Sequence, residues 1–167
     1  EPISFPAKDG TTIYGYLTKS QKGDSKNSPT IVHPHGGPDA EQDTWGFNPF
    51  VQMLSSEGFN VLQVNFRGSG GHGLDFLRYI RGNWDGVLND VFDGMRYLDK
   101  EGLIDINRTC IYGGSYGGYM TMAAMTFTPD EFKVGVNIFG VTNWLRTLKS
   151  IPPYWESFRN ALYKELG

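Results

Sequence analysis

The sequence predicts an α/β fold in which a mostly parallel sheet carries helices on both faces. Two observations lead there. Short apolar runs of strand length alternate with helical patterns along most of the chain, an order that calls for crossover helices over a parallel sheet. In addition, Gly113-Gly114-Ser115-Tyr116-Gly117-Gly118 falls where one of those strands gives way to a helix. A serine between glycines at such a junction reads as a nucleophile elbow, a turn with no room for a β-carbon at Gly113 or Gly117.

The elements follow in chain order. Residues 3–7 and Thr12–Thr18 are short alternating apolar runs joined by Lys8-Asp9-Gly10, so they form an antiparallel hairpin. Residues 21–29 are polar and read as a loop. Residues 30–33 make a short strand that Pro34-His35-Gly36-Gly37-Pro38 cannot continue. Asn48 caps a helix with Pro49 at its first position, Phe50, Met53 and Leu54 on its apolar face and Gly58 at its end. Residues 61–66 read as a buried strand, and Leu88, Val91, Phe92, Met95 and Leu98 mark a long amphipathic helix closed by Gly102. The elbow strand is 109–112, and 119–125 is apolar enough for a buried helix. One more strand is expected at 134–139, and Pro152-Pro153 opens a final aromatic-rich helix running to Leu166.

Composition narrows the function. With 167 residues, 39% hydrophobic and 14% aromatic, the chain can build one domain with a core and is too apolar to be disordered. The formal charge is −3 with both signs interspersed, so there is no basic stripe for nucleic acid and no polybasic segment for a membrane surface. No window approaches the roughly 18 apolar residues of a membrane span. The single cysteine, Cys110, lies in the apolar elbow strand and is expected to be a buried small hydrophobe; compartment is left open.

A serine hydroxyl is a poor nucleophile at neutral pH. It needs a base to take its proton and donors to hold the oxyanion formed on attack. The backbone amide of Tyr116, next after the serine at a helix start, is one expected donor, and the Gly36-Gly37 turn just past a strand end supplies a second. A rival reading starts from Gly68-Ser69-Gly70-Gly71-His72-Gly73, which fits a dinucleotide-binding glycine pattern, with Asp90 about 20 residues on. Against it, Asp90 lies within a helical pattern instead of ending a strand, and Asp85-Gly86 interrupts any helix after the glycines. Arg67 is expected instead to anchor this loop on a carboxylate. No cofactor and no metal cluster is expected: a proline and strand alternation separate the directions of His33 and His35.

The base is missing. All three histidines, His33, His35 and His72, precede Ser115, and only the acids Asp130, Glu131, Glu156 and Glu165 follow it. Either an upstream histidine serves in an unusual order, or the chain ends before the segment carrying the base; the second is the more economical reading.

The segments 5–15, His35-Gly36-Gly37-Pro38, Asn65-Phe66-Arg67-Gly68-Ser69 and 113–120 together resemble the prolyl oligopeptidase family of serine peptidases, in its acylaminoacyl-peptidase-like and dipeptidyl-peptidase-like branch. The resemblance covers nearly the whole chain. It implies that residues 1–167 are a partial α/β-hydrolase catalytic domain, truncated before its last strands, without the family's β-propeller and without the C-terminal part that holds the triad Asp and His. It makes Ser115 the nucleophile and Tyr116 and Gly37 the backbone oxyanion donors. Some members carry a tyrosine hydroxyl where this chain has His35, which places His35 at the substrate side, and Trp144 resembles an aromatic wall of the substrate pocket. The expected partner is a short peptide, cleaved by acyl-enzyme chemistry, with the fragment alone inactive. A carboxylesterase on the same elbow and a noncatalytic binding module are the alternatives. An open edge at 134–139 would favour self-association.

Overall fold

The computed structural model describes residues 1–84 and 86–166, the side chains of 165 and 166 excepted. Asp85, half of the predicted Asp85-Gly86 interruption, lies outside the described residues. Among the described residues six strands form one sheet: β1 (Pro2–Pro6), β2 (Thr12–Thr18), β3 (Thr30–Val32), β4 (Asn60–Asn65), β5 (Thr109–Gly114) and β6 (Val134–Ile138). Their spatial order is β1-β2-β4-β3-β5-β6. The hairpin β1–β2 and its junction with β4 are antiparallel, and β4, β3, β5 and β6 run parallel. The expected mostly parallel sheet is therefore present, with an antiparallel hairpin on one side.

Every residue of β4 is buried. Because successive side chains point to opposite faces, both faces of the sheet are covered there. The cover comes from α1 (Pro49–Ser56), α3 (Val87–Lys100) and α4 (Tyr116–Phe127), joined by the short α2 (Leu74–Arg78) and, further on, α5 (Trp144–Ser150) and α6 (Glu156–Leu166). In α3 the predicted face is the buried one, with Val91, Met95 and Leu98 fully enclosed. Gly94 lets this helix approach β1 closely, since a β-carbon there would stand 2.7 Å from the Phe5 ring.

Three sequence expectations are corrected. α1 is capped as predicted, Asn48 Oδ1 accepting from the Phe50 and Val51 amides, but its buried face is Val51 and Ser55 while Met53 is half exposed. The Ser55 hydroxyl on that buried face donates to the Lys19 carbonyl at 2.7 Å. Cys110 is half-buried, its sulfur 3.6 Å from the Thr30 carbonyl, and burial raises its thiol pKa. α2 and α5 were not anticipated, and the last helix begins at Glu156 after a 3-10 turn at Pro153–Trp155.

The parallel register matters most for function. β3, β4, β5 and β6 all point the same way, so the segments that follow them, 33–38, 66–72, 115 and 139–140, gather at one end of the sheet. Ligands of open α/β sheets bind at that carboxyl end.

Candidate active site

Ser115 stands between β5 and α4 with φ 54° and ψ −120°. A non-glycine residue in that region carries about 1–3 kcal/mol of strain. Serine at a helix N-cap normally bonds a free amide of the first turn; the Ser115 side chain makes no capping bond. The positive φ aims the hydroxyl away from the helix, and Ser115 is exposed. Its own N–H donates to the Ile138 carbonyl at 3.1 Å, tying the elbow to the end of β6. A β-carbon on Gly113 would collide with the Gly117 carbonyl, and one on Gly117 with the Pro34 carbonyl, so both glycines are required by close backbone packing.

Segment 34–37 closes against this turn. A β-carbon built on Gly36 would lie 3.9 Å from Ser115 Cβ and 3.2 Å from Glu41 Oε2. Gly37 has φ 128° and precedes a cis peptide to Pro38. Among the described residues the Gly37 N–H donates to none. Tyr116 opens α4, and its ring is committed to the core, the hydroxyl donating to the Trp84 carbonyl at 3.0 Å. Only its main chain remains for a role at the surface.

The histidines face elsewhere. His33 Nδ1 lies 2.8 Å from the Tyr112 carbonyl. His35 is buried, stacked on Phe66 at 4.3 Å, with Nδ1 2.7 Å from the Gly36 carbonyl and Nε2 2.8 Å from Ser69 Oγ. The ring expected at the substrate side thus points into the protein. Burial is the largest influence on it and holds its pKa below the ordinary value, against the opposing hydrogen bond to Gly36 and the charges of Asp43 and Glu41. His72 stacks on Tyr14 at 4.7 Å, and burial lowers its pKa as well. None of the three is hydrogen-bonded to Ser115.

The glycine loop after β4 is held by Arg67, as expected. The guanidinium takes Asp90 through Nε at 3.0 Å and Nη2 at 2.6 Å and Asp9 through Nη1 at 2.5 Å, while the Arg67 amide also donates to Asp90 Oδ2 at 2.9 Å. The Tyr79 ring covers it at 3.7 Å. Burial works against the guanidinium charge, but the Asp90 and Asp9 carboxylates outweigh it and raise its pKa further. Asp9 is lowered to about 2, first by the Thr11 amide and then by its side chain and Arg67. With Asp90 fully buried in this clamp, it has no ribose to hold, and the dinucleotide reading falls.

Trp144 begins α5, whose cap is the Asn143 side chain accepting from the Arg146 amide at 2.9 Å. It stands edge-on to Trp84 at 4.6 Å and to Tyr119 at 5.3 Å. Sequence reading missed Trp84 and Tyr119. Both also line an apolar cavity of about 280 Å³ between α3 and α4, with Leu88, Phe92, Met120 and Phe127. Their signal was the high aromatic content, which gives no partner.

A strand–serine–helix elbow with a glycine loop against it can now be set beside known proteins. A sequence profile described as the prolyl oligopeptidase family matches residues 45–166. The chain belongs to that family. Dipeptidyl aminopeptidase BIII of Pseudoxanthomonas mexicana is 39% identical over 174 residues, covering 99% of this chain and 25% of that protein. Dipeptidyl peptidase family member 6 of Caenorhabditis elegans is 42% identical over 187 residues, with the same two coverages, 99% and 25%. Among solved structures, acylaminoacyl peptidase of Pyrococcus horikoshii superposes with a TM-score of 0.83 at 30% identity, covering 100% of this chain and 27% of that one. A puromycin-hydrolyzing peptidase of Mycobacterium tuberculosis gives 0.87 at 25% identity, covering 99% and 26%. The sheet and its helices thus match the α/β-hydrolase fold, and the chain spans about a quarter of these prolyl oligopeptidase family relatives. Among the described residues no helix is long and apolar enough to cross a membrane.

Proposed function

We propose that the chain carries the nucleophile half of a serine peptidase active site acting on short peptides. The observation that carries this is Ser115 itself: a serine at a helix start, held at positive φ, exposed, and not capping its helix. In this reading Ser115 Oγ attacks the scissile carbonyl carbon as its proton passes to a base. The carbonyl oxygen becomes an oxyanion received by the Tyr116 and Gly37 amides. Collapse expels the leaving amine and leaves an acyl-serine, which water hydrolyses. Trp144 would wall the pocket for the acyl side chain, while His35, its ring turned inward, acts from beneath the loop.

The base is not among the three histidines of these 167 residues, so the chain alone should lack turnover. The relatives' names point to dipeptidyl or acylaminoacyl peptides as the substrate class. In the protein encoded by the complete reading frame, Ser115→Ala should abolish release of a chromogenic amine from such peptides and labelling by a fluorophosphonate. Retained labelling in that variant would overturn the assignment. Rapid stoichiometric labelling of the 167-residue chain would show a base already present. Turnover of simple esters without any turnover of aminoacyl amides would favour a carboxylesterase, and neither activity would leave a binding module.

A further inference from the structure

Ser69 lies in the loop after β4 and is fully buried. Its hydroxyl is 2.8 Å from His35 Nε2, and the other ring nitrogen, Nδ1, is 2.7 Å from the Gly36 carbonyl. A carbonyl only accepts, so Nδ1 carries the proton. In the neutral ring Nε2 is then bare, and the Ser69 hydroxyl donates to it. The Gly36 carbonyl and the Gly37 N–H belong to one peptide unit, and in a trans unit they point in opposite directions. A bond that holds the oxygen on one side therefore aims the N–H to the other.

We propose that Ser69 is a positioning residue for the oxyanion site: its hydroxyl, donating to Nε2, holds the His35 ring in the place where Nδ1–H pins the Gly36 carbonyl and turns the Gly37 N–H toward the place beside Ser115 where the oxyanion forms. This rests on reading Ser115 as the nucleophile and Gly37 as a donor. The alternative tautomer would set the Nδ1 lone pair against that of the Gly36 oxygen, and the peptide would swing away. Ser69 is itself well placed to hold the ring. Its amide donates to the Phe66 carbonyl at 3.0 Å, the Arg67 clamp holds the loop on one side, and two backbone bonds join it to the segment after Pro38: Ala40 N–H to Gly68 O at 3.1 Å and Gly70 N–H to Glu41 O at 3.0 Å. The imidazole has little freedom to tilt, being stacked on Phe66.

The test uses the complete protein and a chromogenic peptide substrate. Ser69→Ala should lower kcat about tenfold or more, short of the hundred- to thousandfold loss that follows removal of a whole oxyanion donor, while KM changes less than about twofold. His35→Asn places an amide nitrogen where Nδ1 stands, and His35→Gln places one where Nε2 stands. The asparagine variant should therefore keep more kcat than the glutamine variant. A long-range proton–nitrogen spectrum of the unaltered protein should show His35 protonated at Nδ1 and bare at Nε2, a readout that survives even if Ser69→Ala does not fold. Unchanged kcat in Ser69→Ala, equal losses in the two His35 variants, or a proton on Nε2 would each overturn the proposal. Turnover retained by Ser115→Ala would instead overturn the underlying reading.

Discussion

The centre of the sheet and its outer flank are built on opposite terms. At the centre all of β4 is buried, Asp90 and Arg67 close a fully bonded clamp, and the elbow glycines touch backbone. On the flank β6 leaves Val134 54% and Val136 41% exposed, and Phe139, Leu145 and Tyr154 reach 83%, 72% and 81%. The serine sits on the seam. β5 and the 34–37 loop fix it from the central side, and on the other side a hydrogen bond to Ile138 meets it beside an apolar surface. The contrast teaches that the geometry of the Ser115 turn is set by the centre, while the flank leaves large apolar side chains exposed.

The largest expected effect is at the clamp. Arg67→Ala would strand the buried Asp90 carboxylate and lower stability by about 3–5 kcal/mol, read from the urea unfolding midpoint. A loss no larger than at an exposed site would erase the contrast. Next, Leu98→Ala, in the fully enclosed face of α3, should lose about 2–5 kcal/mol by the same measurement.

A pH scan comes third. The folded state keeps His35 neutral below its ordinary pKa of 6.5, while the unfolded chain takes up the proton there. Stability is complete above about 6.5 and is lost as pH falls toward the lowered folded value. His72 contributes with the same sign, so His35→Gln should remove part of this slope, and an unchanged slope would place the imidazole in water. The smallest effect on stability belongs to the flank. Val136→Lys should change unfolding free energy by no more than about 0.5 kcal/mol, yet shift self-association of the chain toward monomer in sedimentation velocity. A large loss of stability there would make β6 part of the core.

Much of the fold was legible because its signals are local. The Asp9-Gly10 turn, the Asn48-Pro49 cap, the spacing from Leu88 to Leu98 and the glycines around Ser115 each constrain a few neighbouring residues through φ preferences or helical period. α1 shows the limit: its period was right, but its buried face, where the Ser55 hydroxyl meets the Lys19 carbonyl 36 residues away, depends on contacts distant in sequence. α5 escaped because its cap, Asn143, precedes a segment too short to show a period. Around the candidate site, the strand–serine–helix turn at Ser115 and the carboxylate need of Arg67 were readable, while the inward turn of His35 and the partnership of Trp84 and Tyr119 with Trp144 were not.

The sequence by itself determined the order of elements, the sharp strand–serine–helix turn and the residue types that anchor the glycine loop, since these follow from chirality, period and charge within short stretches. Only the tertiary structure decided which carboxylates Arg67 takes, 23 and 58 residues away, that Gly36 lies beside Ser115, and that His35 spends both nitrogens on Gly36 and Ser69. The reason is physical. A buried charge or imidazole binds whichever acceptor the sheet register brings within 3 Å, and register is settled by burial of the whole core, not by any neighbouring residue.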